Sequence, residues 1–148
     1  MRHSTIIKVR GYHCDFYGHV NNARYLEMME EARWQYLEAG LGLEYWSDRG
    51  MGFVVASVTL NYKRPISPGV ELEILTVTTS LKGRSGLIHQ EFINRQTGKT
   101  LADAVVTFAV IDLKTGRALP MEGEVLAGFE KISEAGVEGC STVDGTEE

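Results

Sequence analysis

Residues 15–40 read DFYGHVNNARYLEMMEEARWQYLEAG, and the change of character partway along this stretch decides how the chain folds. The first eight residues hold an Asp, a Gly, a His and two Asn, a mixture that neither a core nor an ordinary surface loop requires. Beyond them, Tyr25, Met28, Met29, Ala32, Tyr36 and Ala39 recur at spacings of three and four. That period predicts an amphipathic helix from about Asn22 to Ala39. Asn22 is a good N-cap type, since its short side-chain oxygen accepts a hydrogen bond from a first-turn N–H that has no helical partner. Gly40 is placed to end the helix. Gly18 permits a tight turn, which sets the Asp15 carboxylate facing the helix start.

Working outward, residues 5–12, TIIKVRGY, are β-branched and alternating, and predict a strand. From Phe53 the period changes to two. FVVASVTLNYKRPI (53–66), VELEILTVTTSL (70–81), RSGLIHQEFINRQ (84–96) and KTLADAVVTFAVIDL (99–113) are four long strand candidates joined by Pro/Gly turns, KGRSG and QTGK. They predict an antiparallel meander. Met121 to Ile132 reads as a short amphipathic helix. In the first of these strands Val54, Ala56, Val58 and Leu60 are expected on one face, with Phe53 and Val55 on the other. A strand apolar on both faces needs cover on both, and the helix supplies one cover. The expected architecture is α+β, one long helix lying in a curled antiparallel sheet.

The chain has 148 residues, 43% hydrophobic and 24% charged, which suits one domain with a real core. The net charge of -5 is uneven: residues 133–148, SEAGVEGCSTVDGTEE, hold five acidic side chains and no Lys or Arg. The domain is therefore placed at residues 1–132, and 133–148 is expected to be an acidic, flexible tail. A neutral body gives no field for nucleic acid. No apolar run reaches the roughly 18 residues of a membrane span, and the N-terminus lacks a leader's apolar stretch, so a cytoplasmic location is expected. Cys14 lies beside a carboxylate and Cys140 in the tail, so neither a disulfide nor a thiolate nucleophile is expected.

The segment IKVRGYHCDFYGHVNNARYLEMMEEARW (7–34) carries a family pattern, continued through FVVASVTLNYKRPI, GRSG and VVTFAVIDLKTGRALPMEGE (105–124). On these residues the chain resembles the hotdog-fold acyl-CoA thioesterases of the 4-hydroxybenzoyl-CoA thioesterase superfamily, and within it the FadM type acting on long-chain acyl-CoA. The resemblance implies a helix wrapped by a five- to six-stranded antiparallel sheet. It implies subunits joined sheet edge to sheet edge as a homodimer or homotetramer, with active sites at the interface. It also implies hydrolysis of medium- to long-chain acyl-CoA to fatty acid and CoA.

A thioester has a good leaving group, so its hydrolysis needs a nucleophile or base and a group to hold the oxyanion. Asp15 suits either chemical role, attacking the carbonyl or deprotonating water; the plain alternative is a turn residue. The first N–H groups of a helix lack partners and carry the positive end of its dipole. By the resemblance, the key oxyanion donor is the main-chain N–H of Asn22. Gly18 gives the turn, and His19 and Asn21 are auxiliary candidates, each equally able to satisfy loop backbone. For the CoA phosphates the candidates are Lys63, Arg64, Lys82, Arg84 and Ser85, otherwise ordinary surface groups. For the acyl chain they are Met28, Met29, Trp46, Phe53 and Val55, otherwise plain core. Glu30 and Arg33 are spaced for an ion pair. His13, Asp15 and His19 are too few for a zinc site, and no metal or separate cofactor is expected, CoA being part of the substrate. Two other readings remain open: a hydratase or dehydratase using His13 or His19 with Glu31 on an acyl thioester, and a non-catalytic acyl-CoA-binding domain.

Overall fold

A computed structural model describes residues 2–138. In chain order it contains β1 (His3–Lys8), α1 (Arg24–Glu38), α2 (Leu43–Ser47), β2 (Met51–Tyr62), β3 (Glu71–Lys82), β4 (Ser85–Asn94), β5 (Thr100–Asp112) and α3 (Glu124–Glu138). The five strands form one antiparallel sheet in the order β1-β3-β4-β5-β2. Of the four-strand meander expected from the sequence, β3-β4-β5 forms, whereas β2 does not pair with β3. β2 pairs along the outer side of β5, and β1 closes the other edge.

The sheet curls because its register breaks where it must bend. In β2, Val55 faces Phe108 and Ser57 faces Thr107, leaving Ala56 as an extra residue. In β3, Leu81 faces Gly86, Ser80 faces Leu87 and Thr78 faces Ile88, leaving Thr79 as another. Both extra residues fall between the same two cross-strand rows, Val55–Phe108–Gly86–Leu81 and Val58–Val106–Ile88–Thr78. A bulge bends and twists its strand, so two in line fold the sheet around α1. The β2 bulge also corrects the expected faces. The extra residue shifts the alternation by one, so Phe53, Val55, Val58 and Leu60 share the inner face, and the strand is apolar chiefly on one side.

The 15 residues of α1 span about 22 Å across this inner face. Tyr25, Met28, Met29, Ala32, Tyr36 and Leu37 are buried against Phe92, Ala102, Ala104 and Val106. Burying a side chain of Met or Phe size contributes about 1.5–3 kcal/mol, so this stripe dominates the helix's hold on the sheet. Polar pins fix its position. The Tyr36 hydroxyl lies 2.7 Å from Thr78 Oγ1 and accepts from the Thr78 N–H at 3.2 Å. Fully buried Gln90 donates to the Met29 carbonyl at 3.0 Å and to Thr76 Oγ1 at 3.1 Å.

Several boundaries differ from expectation. β1 ends at Lys8, and Gly11–His13 forms a 3-10 turn, closed by the Arg10 N–H donating to His13 Nδ1 at 2.9 Å. α2 lies in a stretch the periodicity left unassigned; it is too short to show a helical period, and it is held by buried Trp46. α3 starts later than Met121 and runs past Ile132 to Glu138, so the first six residues assigned to the tail continue a helix. The rest of that tail, with Cys140, lies outside the described residues. Among the described residues no helix is long and apolar enough to cross a membrane.

Candidate active site

The stretch before α1 is a small hairpin. Cys14 bridges Val20, the Asp15 N–H donates to the His19 carbonyl at 2.9 Å, and the Asn21 N–H donates to the His13 carbonyl at 2.9 Å. The turn closes with the Gly18 N–H on the Asp15 carbonyl at 3.0 Å. Gly18 has a φ of 77°, a left-handed backbone that a side chain would strain. Asp15 Oδ1 accepts from the Tyr17 N–H at 2.9 Å, so one carboxylate oxygen fixes the turn. The other has no hydrogen-bond partner among the described residues, and Asp15 is exposed. The plain role, a turn residue, is therefore fulfilled by one oxygen and leaves the second available.

At the helix mouth the N-cap position is Ala23, which makes no side-chain cap bond, so the cap expected at Asn22 does not form; the turn before it is held by Asn21. Its Oδ1 accepts from the Ala23 N–H at 2.9 Å and its carbonyl from the Arg24 N–H at 2.9 Å. The Asn22 side chain caps nothing, and α1 proper begins at Arg24. Asn21 thus consumes two first-turn amides, and the Asn22 N–H is left without an acceptor among the described residues. The Asn22 carbonyl accepts from the Tyr62 hydroxyl at 2.8 Å, and Tyr62 meets Tyr25 edge to face at 4.8 Å. The Val20 N–H reaches the Ile66 carbonyl at 2.8 Å. These bonds tie the hairpin to the end of β2. His19 is exposed, and among the described residues its side chain makes no hydrogen bond or ion pair. His13 sits beneath the hairpin; burial, with Arg24 and Arg10 nearby and only Glu27 opposing, lowers its pKa below the usual 6.5.

The cation candidates separate. Lys63 pairs with Asp103 at 2.8 Å, and with a bond from Asn61 this holds the Asp103 carboxyl below its usual range. Lys63 is thus already neutralised, which the sequence did not show. Arg64 is exposed, near Ile66, with no side-chain partner among the described residues. Arg84 and Ser85 lie on the β3–β4 turn, with Arg84 donating to the Ala118 carbonyl. That turn is at the far end of the sheet: the row from Gly86 to Phe108 stands six residues along β5 from Ala102, about 20 Å away. One chain therefore gathers Asp15, Gly18, His19, Asn21, Asn22 and Arg64, and leaves Arg84 and Ser85 apart.

That far end is hollow. A cavity of about 190 Å³ is walled by Arg33, Trp34 and Leu37 of α1, Phe53 and Val55 of β2, and Phe108 of β5. A second, of about 180 Å³, shares Trp34 and Phe53 and adds Leu43, Trp46, Ser47 and Gly52. Neither touches Asp15. Of the acyl-channel candidates, Trp46, Phe53 and Val55 line these spaces, whereas Met28 and Met29 are spent in the core. Gly86 makes room for the cavity wall: a Cβ there would come within 2.5 Å of the Phe108 ring.

The expected Glu30–Arg33 pair does not form. Arg33 turns inward and donates to Gln90 Oε1 at 3.0 Å, its pKa lowered by burial, while Glu30 accepts from Trp34 Nε1 at 3.2 Å. Trp34, Tyr62 and Gln90 were not singled out from the sequence, and Arg33 was singled out only for the pair with Glu30. For Gln90 a signal existed: it is the polar member of the inward alternation Ile88, Gln90, Phe92. Among the described residues no three His, Cys, Asp or Glu side chains cluster to hold a metal ion.

Three comparisons bear on this site. The family profile of the thioesterase-like superfamily matches residues 9–129. The long-chain acyl-CoA thioesterase FadM of Escherichia coli (strain K12) is 45% identical over 131 residues, covering 86% of this chain and 97% of that protein. Among solved structures, the probable thioesterase YbaW from Escherichia coli superposes with a TM-score of 0.82 at 44% identity, covering 87% of this chain and 97% of its own. A probable thioesterase from Bartonella henselae superposes with a TM-score of 0.67 at 30% identity, covering 80% and 98%.

Proposed function

Because this chain belongs to the thioesterase-like superfamily and is an acyl-CoA thioesterase with the hotdog fold, we propose that it hydrolyses medium- to long-chain fatty acyl-CoA to fatty acid and CoA, with Asp15 as nucleophile or general base. The observation that carries this reading is the pairing, on one hairpin, of an untied Asp15 oxygen with the untied Asn22 N–H at the mouth of α1. A carboxylate oxygen supplies or activates the nucleophile, and a helix-mouth amide suits the oxygen that becomes negative. Gly18 and Asn21 hold this geometry, and His19 stands exposed beside it, free to orient water or the carbonyl.

The site is completed by a second copy. Asp15 lies near the Tyr62 end of β2, and the cavity near its Phe53 end. β2 is an edge strand of 12 residues whose stretch Val54–Ser57 is exposed and carries no charge to deter pairing. Two copies joined antiparallel along β2 place the Tyr62 end of one against the Phe53 end of the other. Each Asp15 then faces a cavity of its partner, and the exposed rings of Tyr12, Phe16 (97% exposed) and Tyr17 (81%) gain cover. The same pairing carries Arg84 and Ser85 of the second copy toward the end where Arg64 stands, as candidates for the CoA phosphates. No other cofactor enters the reaction.

The test is thiol release from hexadecanoyl-CoA, followed with a thiol reagent, for wild type and Asp15→Asn. An Asn oxygen still accepts from the Tyr17 N–H, so the turn is kept and only the carboxylate chemistry is lost. Turnover is expected to fall about a thousandfold, within the range for a lost acid or base. Near-normal turnover by Asp15→Asn would end this mechanism.

A further inference from the structure

Resting on the acyl-CoA hydrolase reading, we propose that Trp34 is the gate that sets how long an acyl chain the enzyme accepts, by separating two cavities that become one channel when its indole swings out. The two cavities, of about 190 and 180 Å³, have two walls in common, Trp34 and Phe53. Only one of these can move easily. The Phe53 ring is wedged among Trp46 at 4.8 Å, Phe108 at 6.2 Å and Phe129 at 6.0 Å, all buried. Trp34 is 43% exposed and makes no ring–ring contact among the described residues. Its one hydrogen bond joins Nε1 to Glu30 Oε1 at the surface, at 3.2 Å, where water can replace either partner. The indole is therefore a latched door and Phe53 a fixed post.

The sizes fit a ruler. An apolar cavity of about 150 Å³ takes a benzene, six carbons, so the nearer cavity holds about seven carbons and both together about fifteen. With Trp34 in place a medium chain fills the first space. A long chain must displace the indole and thread past Phe53 into the second. The second space is bounded chiefly by the apolar surfaces of Trp34, Leu43, Trp46, Met51 and Phe53, with the Ser47 side chain also on its wall. Such a lining suits hydrocarbon. Ser47 is exposed and its hydroxyl makes only a long 3.4 Å bond to the Glu44 carbonyl, so the position takes a larger side chain that projects into the space.

The experiment compares kcat/KM for octanoyl-CoA and hexadecanoyl-CoA in wild type, Ser47→Trp and Trp34→Ala, using the ratio within each protein so that expression and stability cancel. Ser47→Trp fills the far space, and the hexadecanoyl-to-octanoyl ratio is expected to fall more than tenfold, since each methylene denied burial costs about fourfold. Trp34→Ala removes the door, and the ratio is expected to rise about fourfold or more by the same scale. If either variant leaves the ratio within about twofold of wild type, the gate is overturned. Absence of thiol release by the wild type on every acyl length is a separate result, and it would overturn the hydrolase reading instead.

Discussion

The two ends of α1 are built on opposite terms. Its N-terminal mouth carries the proposed reactive groups, Asp15 and the Asn22 N–H, on a hairpin whose backbone is well bonded but whose side chains mostly stand in solvent. Its C-terminal half carries the space, a largely apolar cavity between Trp34, Leu37, Phe53 and Phe108, with Glu30 and Arg33 also on its wall. In the proposed reading these two ends belong to different halves of one site, each completed by a second copy. The helix keeps the two apart by its own length, and the exposed edge of β2 is where we propose that a second copy brings them together.

The largest expected effect, the loss in Asp15→Asn, tests the chemical end alone. Next comes the joint between the ends. Replacing exposed Ser57 and Thr59 by Asp puts like charges along the β2 edge, where facing copies repel. Light scattering after size exclusion is expected to show a monomer, with activity lower by at least about a hundredfold because the acyl chain loses its pocket. A monomer that keeps full activity would show that one chain suffices and would break the comparison. Tyr62→Phe sharpens it: the change deletes one bond to the Asn22 carbonyl and leaves the ring against Tyr25. A drop in kcat of about tenfold is expected, beside a stability loss of only about 0.5–1.5 kcal/mol.

The smallest effect is on stability against pH, and it touches both ends. His3, under the C-terminal half of α1 beside Tyr36, has its pKa lowered by burial, and His13, under the hairpin, is lowered by burial with help from Arg24 and Arg10. The unfolded chain therefore takes up protons first as pH falls below the usual histidine value of 6.5. Stability is full above that value and declines below it until the folded groups also protonate. Protonated His13 also no longer accepts the Arg10 N–H. Melting temperature is expected to drop between about pH 7.5 and about pH 5, and less so in His3→Phe and His13→Asn. An unchanged slope in both variants would place the acid sensitivity elsewhere.

Much of this was legible in the chain. The switch from a spacing of three and four to a spacing of two located α1 and the four long strands, though not the place of β2 beside β5, because burial on one face imposes the period of the element. The composition of residues 15–22 marked a tight turn before the helix, but the cap expected at Asn22 does not form, and only bond geometry shows Asn21 holding the Ala23 and Arg24 amides. Three features were hidden for physical reasons. The Ala56 bulge left no compositional trace yet reversed the face of half of β2. Lys63 and Asp103 lie 40 positions apart, and a ladder of backbone bonds, not any motif, makes them neighbours. Arg33 had a plausible partner three residues away in Glu30, but a buried amide across the core holds it instead.

The amino-acid order by itself determined α1 and the four long strands, where the carboxylate sits relative to the start of α1, and which family the chain joins, because those follow from local periodicity and a contiguous motif. Only the tertiary structure decided that Asp15 keeps one oxygen free, that Trp34 and Phe53 divide a hollow at the opposite end, and that an uncovered β2 edge runs between the two. Those depend on contacts between residues distant along the chain, and sequence spacing carries no record of them.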